Sequence, residues 1–337
     1  MQDFRGYRHE EKDRNSSWDT CSSIGRSIAF FLVLLYGASA LFVPKNDTVK
    51  AGIDERDESA YAVYAEPRNS MDAVIIGDSL AYTGISPLKM WHENGFTSYN
   101  CSRTAQRMSE TYYMLKRVFE VQSPKVVVFE TNMLFWPSDT EEQINKTLFE
   151  AAEYYLPVFE YHNQWKKLDP SDLQDAVYEK QDQYKGFRLK KDCIPYAGGE
   201  YMIETMAARE VPRVERFLLG RMIQLCRKNG SQFMMVSVPS PKDYRYENHN
   251  SAQSLADKYG VEYLDLNLLT EEIGIDWNLD VLDGTEHLNV YGAEKVSDYL
   301  GAYISENYEV EDHRDDKTYS EWNQYYEDYQ KEVQKNM

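Results

Sequence analysis

A parallel β-sheet between layers of helix is the fold class this sequence predicts, and three observations carry it. Short apolar runs recur, each bounded by a turn residue. Longer stretches with helical periodicity separate them. Two polar clusters stand directly after an apolar run or directly before a helical stretch. Strands alternating with helices of this length make βαβ units, which require a parallel sheet with helices on its faces.

The elements follow in chain order. Asp72-Ala73-Val74-Ile75-Ile76-Gly77 is a short buried strand ending in glycine. Residues 105–120 read as a helix with Met108, Tyr112, Leu115, Val118 and Phe119 on one face. Pro124 stops the connection, and Lys125-Val126-Val127-Val128-Phe129-Glu130 is a second strand. Residues 212–229 give another helix, its apolar face Phe217, Leu218, Met222 and Leu225, with Gly230 as its cap. Gln232 to Val238 is a third strand, closed by Pro239. A helix over 250–259 leads to a fourth strand, Val261 to Leu266, and residues 289–306 form a last amphipathic helix. The stretch 134–210 breaks the rhythm. It is rich in Tyr, Trp and charge, and predicts an inserted helical lobe. The tail, 309–337, is acidic. Trp322, Tyr325, Tyr326 and Tyr329 stand at i, i+3, i+4, i+7, the spacing of one helix face. Packing on the body is expected for that stripe, with a carbohydrate-contacting surface as the alternative.

Before the first strand the chain predicts a different environment. Ser27 through Pro44 carries no charge and includes the run Ile28-Ala29-Phe30-Phe31-Leu32-Val33-Leu34-Leu35. Roughly 18–20 such residues span a bilayer core. Arg5, Arg8, Lys12, Arg14 and Arg26 precede or open it, so the positive-inside rule keeps that end cytoplasmic and exports the rest. Expected, then, are a polar, disordered cytoplasmic tail over 1–23, a signal anchor over 24–44, a spacer over 45–70 and the α/β domain over 71–308. A signal peptide cut near Ala38-Ser39-Ala40 competes with the anchor. Leu41, Phe42 and Val43, beyond that point, favour the anchor. A buried helix of a cytosolic protein is a third option.

The chain carries 56 acidic and 37 basic residues, a net charge of −19. That balance excludes nucleic acid as a partner, because phosphate binding needs clustered Lys and Arg. Four cysteines are too few for a disulfide scaffold, although one bond among Cys101, Cys193 and Cys226 is open. With no CxxC or HExxH spacing, no structural metal and no cofactor is expected.

Two clusters carry chemistry. In Val74-Ile75-Ile76-Gly77-Asp78-Ser79-Leu80, a serine directly follows a buried strand. It therefore sits at the carboxyl edge of a parallel sheet, where open α/β sheets place their sites. The glycine permits a tight turn, and the serine N–H can face a developing oxyanion. In Asp283-Gly284-Thr285-Glu286-His287-Leu288-Asn289, a histidine stands just before the last helix with carboxylates around it. Returned to the same edge, His287 can accept the Ser79 proton while a carboxylate orients its ring. Asp283 is the preferred carboxylate. Glu286 and Asp280 remain open.

With these clusters the chain resembles the SGNH/GDSL hydrolase superfamily over roughly residues 70–133 and 212–305. The first motif of that family falls on Gly77-Asp78-Ser79-Leu80 and the last on Asp283 and His287. The resemblance implies a flavodoxin-like three-layer α/β/α sandwich and a Ser-His-Asp triad. It also implies an oxyanion hole joining the serine N–H, a glycine N–H and an asparagine side chain. Asn132, in Phe129-Glu130-Thr131-Asn132, best matches the asparagine, without the usual Gly-x-Asn-Asp form. The family's glycine has no clear counterpart in Tyr99-Asn100-Cys101-Ser102-Arg103. Its acid commonly lies three residues before the histidine, where this chain has Gly284.

The anchor and insertion look like the cell-envelope branch of the superfamily, which includes the teichoic-acid D-alanyl transfer protein and the alginate O-acetylation proteins. Tyr161-His162-Asn163-Gln164-Trp165 is similar to a segment of such relatives. Tyr161, His162 and Trp165 thus become candidates for the substrate lobe, against simple packing of that lobe. The implied activity is that of a membrane-anchored serine esterase or O-acyltransferase acting on an acylated envelope glycan or polymer. A membrane-bound acyltransferase is an implied partner. A catalytically silent scaffold or polysaccharide-binding protein on the same fold is the alternative.

Overall fold

The computed structural model describes residues 6–43, 58–136, 139–161, 170 and 178–335. His162, Trp165 and residues 45–57 of the expected spacer lie outside the described residues. The chain divides into two compact units, one of residues 1–45 and 151–176, the other of 46–150 and 177–337.

The second unit is built on five parallel strands: β1 Ala73–Ile76, β2 Ser98–Asn100, β3 Val126–Glu130, β4 Gln232–Ser237 and β5 Glu262–Asp265. Their order is β2-β1-β3-β4-β5. Ala73 pairs with Val126 on one side and Ser98 on the other, so β1 lies inside the sheet. Every residue of β1 and β3 is buried, as expected where helices cover both faces and strands read as unbroken Val and Ile. The four apolar strands stand where the sequence places them. β2, three residues long with a serine and an asparagine, carries too little apolar pattern to be read.

The chain order reverses between β1 and its two neighbours, which makes a crevice at the carboxyl ends of β1 and β3. Helix α2, Ser79–Gly84, begins in that crevice, followed by α3, Pro87–Asn94. The covering helices are α4, Met108–Val121, α6, Arg213–Lys228, α7, Tyr246–Tyr259, and α8, Val290–Asn307. In α6 the buried stripe is Leu218, Leu219, Met222, Ile223 and Cys226. Phe217, expected in it, is 63% exposed. The stripe at i, i+1, i+4, i+5 starts one residue later than the periodicity suggested. Asn229 caps α6, and Gly230 follows it with φ +76°.

Within the expected insertion, one long helix is described, α5, Thr140–Tyr155. Residues 178–212 run without long helix or strand. The tail helix α9, Ser320–Gln334, packs on the body as expected. Trp322 meets Trp91 with centroids 5.3 Å apart, and Tyr329 is fully buried. The Lys185 ammonium lies 5.0 Å from the Trp322 ring and 4.3 Å from that of Tyr325, while Glu66 takes its charge at 2.7 Å.

In the first unit, helix α1 spans Gly6–Phe42. Over 6–23 it is helical where a disordered tail was expected. Ser22–Ser39 within it is long and apolar enough to cross a membrane. Tyr161, also in this unit, is buried. Cys101, Cys193 and Cys226 are free thiols, so the disulfide left open does not form.

Candidate active site

The loop that carries Ser79 follows from packing beneath it. A Cβ on Gly77 would lie 2.7 Å from the Cβ atoms of both Ala81 and Glu130, so only glycine lets β1 turn directly into α2. Asp78 then caps α2: its Oδ1 accepts from the Leu80 N–H at 2.9 Å. Ser79, the first helical residue, is half-buried at the mouth of the crevice.

The histidine loop closes on itself. Val281 and Leu288 form an antiparallel bridge, and the Leu282 N–H donates to the His287 carbonyl at 2.8 Å. At the tip Gly284 adopts φ +83°, which lets the chain curl over the Asp283 side chain. Asp283 Oδ1 accepts from the N–H groups of Thr285, Glu286 and His287 at 3.3, 2.8 and 3.1 Å. This curl explains why the acid stands four residues before the histidine. Its Oδ2 bonds His287 Nδ1 at 2.6 Å. With Nδ1–H donating to the carboxylate, Nε2 is the ring's acceptor, and Ser79 Oγ lies 2.8 Å from it. Burial works against the Asp283 charge. The His287 and backbone hydrogen bonds outweigh it and hold the carboxyl down at about 2.

Ser79, His287 and Asp283 are thus brought together, and the other two acids are not. Asp280 is buried against Lys295 at 2.6 Å and accepts from the Asp276 N–H. Glu286 pairs with Lys242, whose own N–H donates to the Thr285 carbonyl at 2.9 Å and so clamps the loop from outside. Asp283, Glu286 and His287 present ligand atoms within 4.8 Å of one another. Within that set Asp283 Oδ2 holds His287 Nδ1, and Lys242 pairs with Glu286.

Asn132 also reaches the crevice, at the start of the turn after β3. Its Nδ2 donates to Asp78 Oδ2 at 2.9 Å, which uses one of its two hydrogens. The expected second donor stretch is tied to α2, to the residue after it and to itself instead. Asn100 Nδ2 donates to the Ala81 and Ile85 carbonyls, and its Oδ1 takes the Ser102 N–H. Asp78 is fully buried. Burial raises its carboxyl to about 6, against the pull of the Leu80 and Asn132 bonds.

Sequence reasoning missed a strip that flanks the histidine loop. Ile194 N–H donates to the Val281 carbonyl and Tyr196 N–H to that of Trp277, at 3.1 and 2.8 Å. Ile194, exposed, lies 3.1 Å from where a Cβ on Gly284 would stand. Tyr196, Tyr201 and Trp277 meet edge to face beside a cavity of about 450 Å³ that Glu200 and Glu271 also line. The signal available was Trp277, an aromatic among acids and asparagines ten residues before His287.

No protein-family model and no curated protein matches the chain. Solved structures do. A lipase/acylhydrolase from Enterococcus faecalis aligns at TM-score 0.38 and 11% identity, over 72% of this chain and 99% of that one. An acetyl xylan esterase aligns at 0.36 and 13%, over 69% and 99%, and TesA at 0.36 and 11%, over 70% and 97%. The observed fold is α/β with a parallel five-stranded sheet, and the case for chemistry rests on the crevice itself.

Proposed function

We propose that this protein is a serine esterase or O-acyltransferase of the SGNH/GDSL type. The observation that carries the reading is the continuous Ser79–His287–Asp283 chain at the carboxyl edge of the sheet. Ser79 Oγ attacks an ester carbonyl and passes its proton to His287 Nε2. The resulting imidazolium is held by the ionised Asp283. The first N–H groups of α2 have no intrahelical carbonyl. Asp78 takes that of Leu80, and we assign that of Ser79 to the oxyanion, with the remaining Asn132 N–H beside it. Nε2 then gives the proton to the leaving alcohol, which departs and leaves acyl-Ser79. Water or a second hydroxyl attacks that ester, Nε2 takes the attacker's proton, and Ser79 is released. No cofactor enters this sequence.

We assign the ester to an acylated glycan or polymer of the cell envelope. α1 supports the placement: Ser22–Ser39 serves as a single membrane anchor, and the basic residues before it keep the α/β domain extracytoplasmic. A membrane-bound acyltransferase is the partner such a tether suits. Tyr161, His162 and Trp165 remain substrate-lobe candidates by resemblance, and the Ile194–Tyr201 strip is a further one by its place beside the histidine loop. The competing reading is a silent scaffold of the same fold. The Asn132–Asp78 bond and the Asn100 side chain tied to α2 favour it; the aligned Ser79–His287 pair opposes it.

The test is full-length protein in detergent with an activated acetyl ester and a serine-reactive phosphonate. Turnover and labelling at Ser79, both absent in Ser79→Ala, are expected. A folded protein with neither overturns the esterase reading and leaves the scaffold. Comparing acyl content of the envelope between cells carrying Ser79 and Ser79→Ala then tests the substrate.

A further inference from the structure

Beneath the nucleophile loop lies a polar layer that the mechanism does not use. Glu130, the last residue of β3, is fully buried. Its Oε2 accepts from the Asn132 N–H at 3.0 Å, Tyr244 O–H donates to its Oε1, and the Val238 N–H is a third donor. Asn132 passes the linkage on: its side chain holds Asp78 Oδ2, and Asp78 Oδ1 holds the first turn of α2, the helix that begins with Ser79. Gly77 packs directly on the Glu130 Cβ. One buried carboxyl therefore touches both segments that frame the nucleophile.

The chain extends away from the site as well. Tyr244 Oη lies 2.9 Å from Thr131 Oγ1, Thr131 Oγ1 2.5 Å from Ser237 Oγ, and Ser237 Oγ 2.8 Å from Tyr263 Oη. Tyr263 donates to Asp265 Oδ2 at 3.1 Å, where His249 Nδ1 also binds at 3.0 Å. The members of this chain up to Asp265 are buried and lie at the carboxyl ends of β3, β4 and β5. A buried carboxyl is a costly way to satisfy two N–H groups, since desolvation opposes its charge and a polar network helps only when every member is paired. Burial and the neighbouring Asp78 charge do push the Glu130 carboxyl well above its ordinary range. Such expense concentrates at functional sites.

We propose that Glu130 and Tyr244 are positioning residues for the nucleophile loop, acting through the Asn132 backbone and the Asn132–Asp78 bond; the inference rests on the esterase reading. Glu130→Gln keeps the volume but replaces one of the two accepting oxygens with an NH2, so a single oxygen is left for the three donors Asn132 N–H, Val238 N–H and Tyr244 O–H. Tyr244→Phe removes one donor and keeps the ring.

The experiment is a kinetic double-mutant cycle on the full-length protein with the activated acetyl ester. Glu130→Gln is expected to lower kcat roughly 10- to 100-fold with KM changed less than about twofold. In an Asn132→Ala background the same substitution is expected to cost less than about threefold, because its route to Ser79 is already cut. Tyr244→Phe is expected to follow the pattern at smaller size, and it carries the cycle if Glu130→Gln does not fold. Lys185→Met, which strands the equally buried Glu66 carboxyl and keeps the Lys185 backbone bond to Asn100, serves as the stability control: it lowers Tm without a change in kcat. Equal costs in both backgrounds, or an unchanged kcat in Glu130→Gln, overturn the positioning role while leaving the esterase intact. A wild-type protein that neither turns over nor labels overturns both.

Discussion

Two aspartates serve the Ser79–His287 pair, one on the histidine loop and one in the buried layer, and they are pushed in opposite directions. Asp283 is partly exposed and accepts from four N–H groups, one of them the His287 ring, so its carboxyl sits at about 2. Asp78 is fully buried, accepts from one backbone and one amide N–H, and rises to about 6. The difference teaches which acid can serve a reacting imidazole. A carboxylate that stays charged at every working pH stabilises an imidazolium. A buried, weakly compensated one is suited to hold a helix start, where the hydrogen bonds matter more than the charge.

The comparison breaks most sharply at its centre. His287→Ala is expected to lower kcat on the activated ester by roughly 10⁴-fold, and the double variant with Ser79→Ala to lose no more than either alone, because the two act as a unit. Next, Asp283→Asn keeps the loop's size but offers the ring an amide. A loss of roughly 10³-fold in kcat is expected with phosphonate labelling slowed in parallel. If Asp78→Asn slowed the reaction as much while Asp283→Asn did not, the roles assigned to the two acids would be exchanged.

Stability against pH separates the aspartates without any substrate. The Asp283 carboxyl is lowered on folding, so its contribution is present above the unfolded value of about 4 and is lost as pH falls through about 2. That of Asp78 is raised, so its contribution is present below about 4 and is lost as pH rises through about 6. Urea midpoints measured from pH 2 to 7 are expected to flatten at the acid end in Asp283→Asn and between pH 4 and 6 in Asp78→Asn. Identical profiles in the two variants would erase the contrast. The smallest effect is expected at the rim. Glu286→Gln removes a surface partner of Lys242, and the change in stability stays within about 1 kcal/mol, with kcat altered less than about threefold.

Much of the frame was legible because it rests on local rules. Val74–Ile76, Val126–Phe129 and Phe233–Val236 are apolar runs too short for helices, and each became a strand buried on both faces. That Ser79 and His287 meet was legible from position alone, one after a strand and one before a helix. The short β2 was not, since Ser98-Tyr99-Asn100 owes its extended form to pairing with β1. Phe217 was misplaced because periodicity defines a stripe only to within about one residue of rotation. Asp283, Glu286 and Asp280 could not be ranked by spacing. Gly284's left-handed turn and the pull of Lys295 and Lys242 separated them.

By itself the sequence determined the βα alternation, the apolar α1 and the two edges that bring Ser79 and His287 to one crevice, because burial and periodicity act on neighbours in the chain. Tertiary structure alone decided which acid holds the histidine, what occupies Asn132 and how Glu130 joins Tyr244 across 114 residues. Those outcomes depend on hydrogen bonds between distant segments, and such bonds are chosen by what burial brings within reach, which no local pattern records.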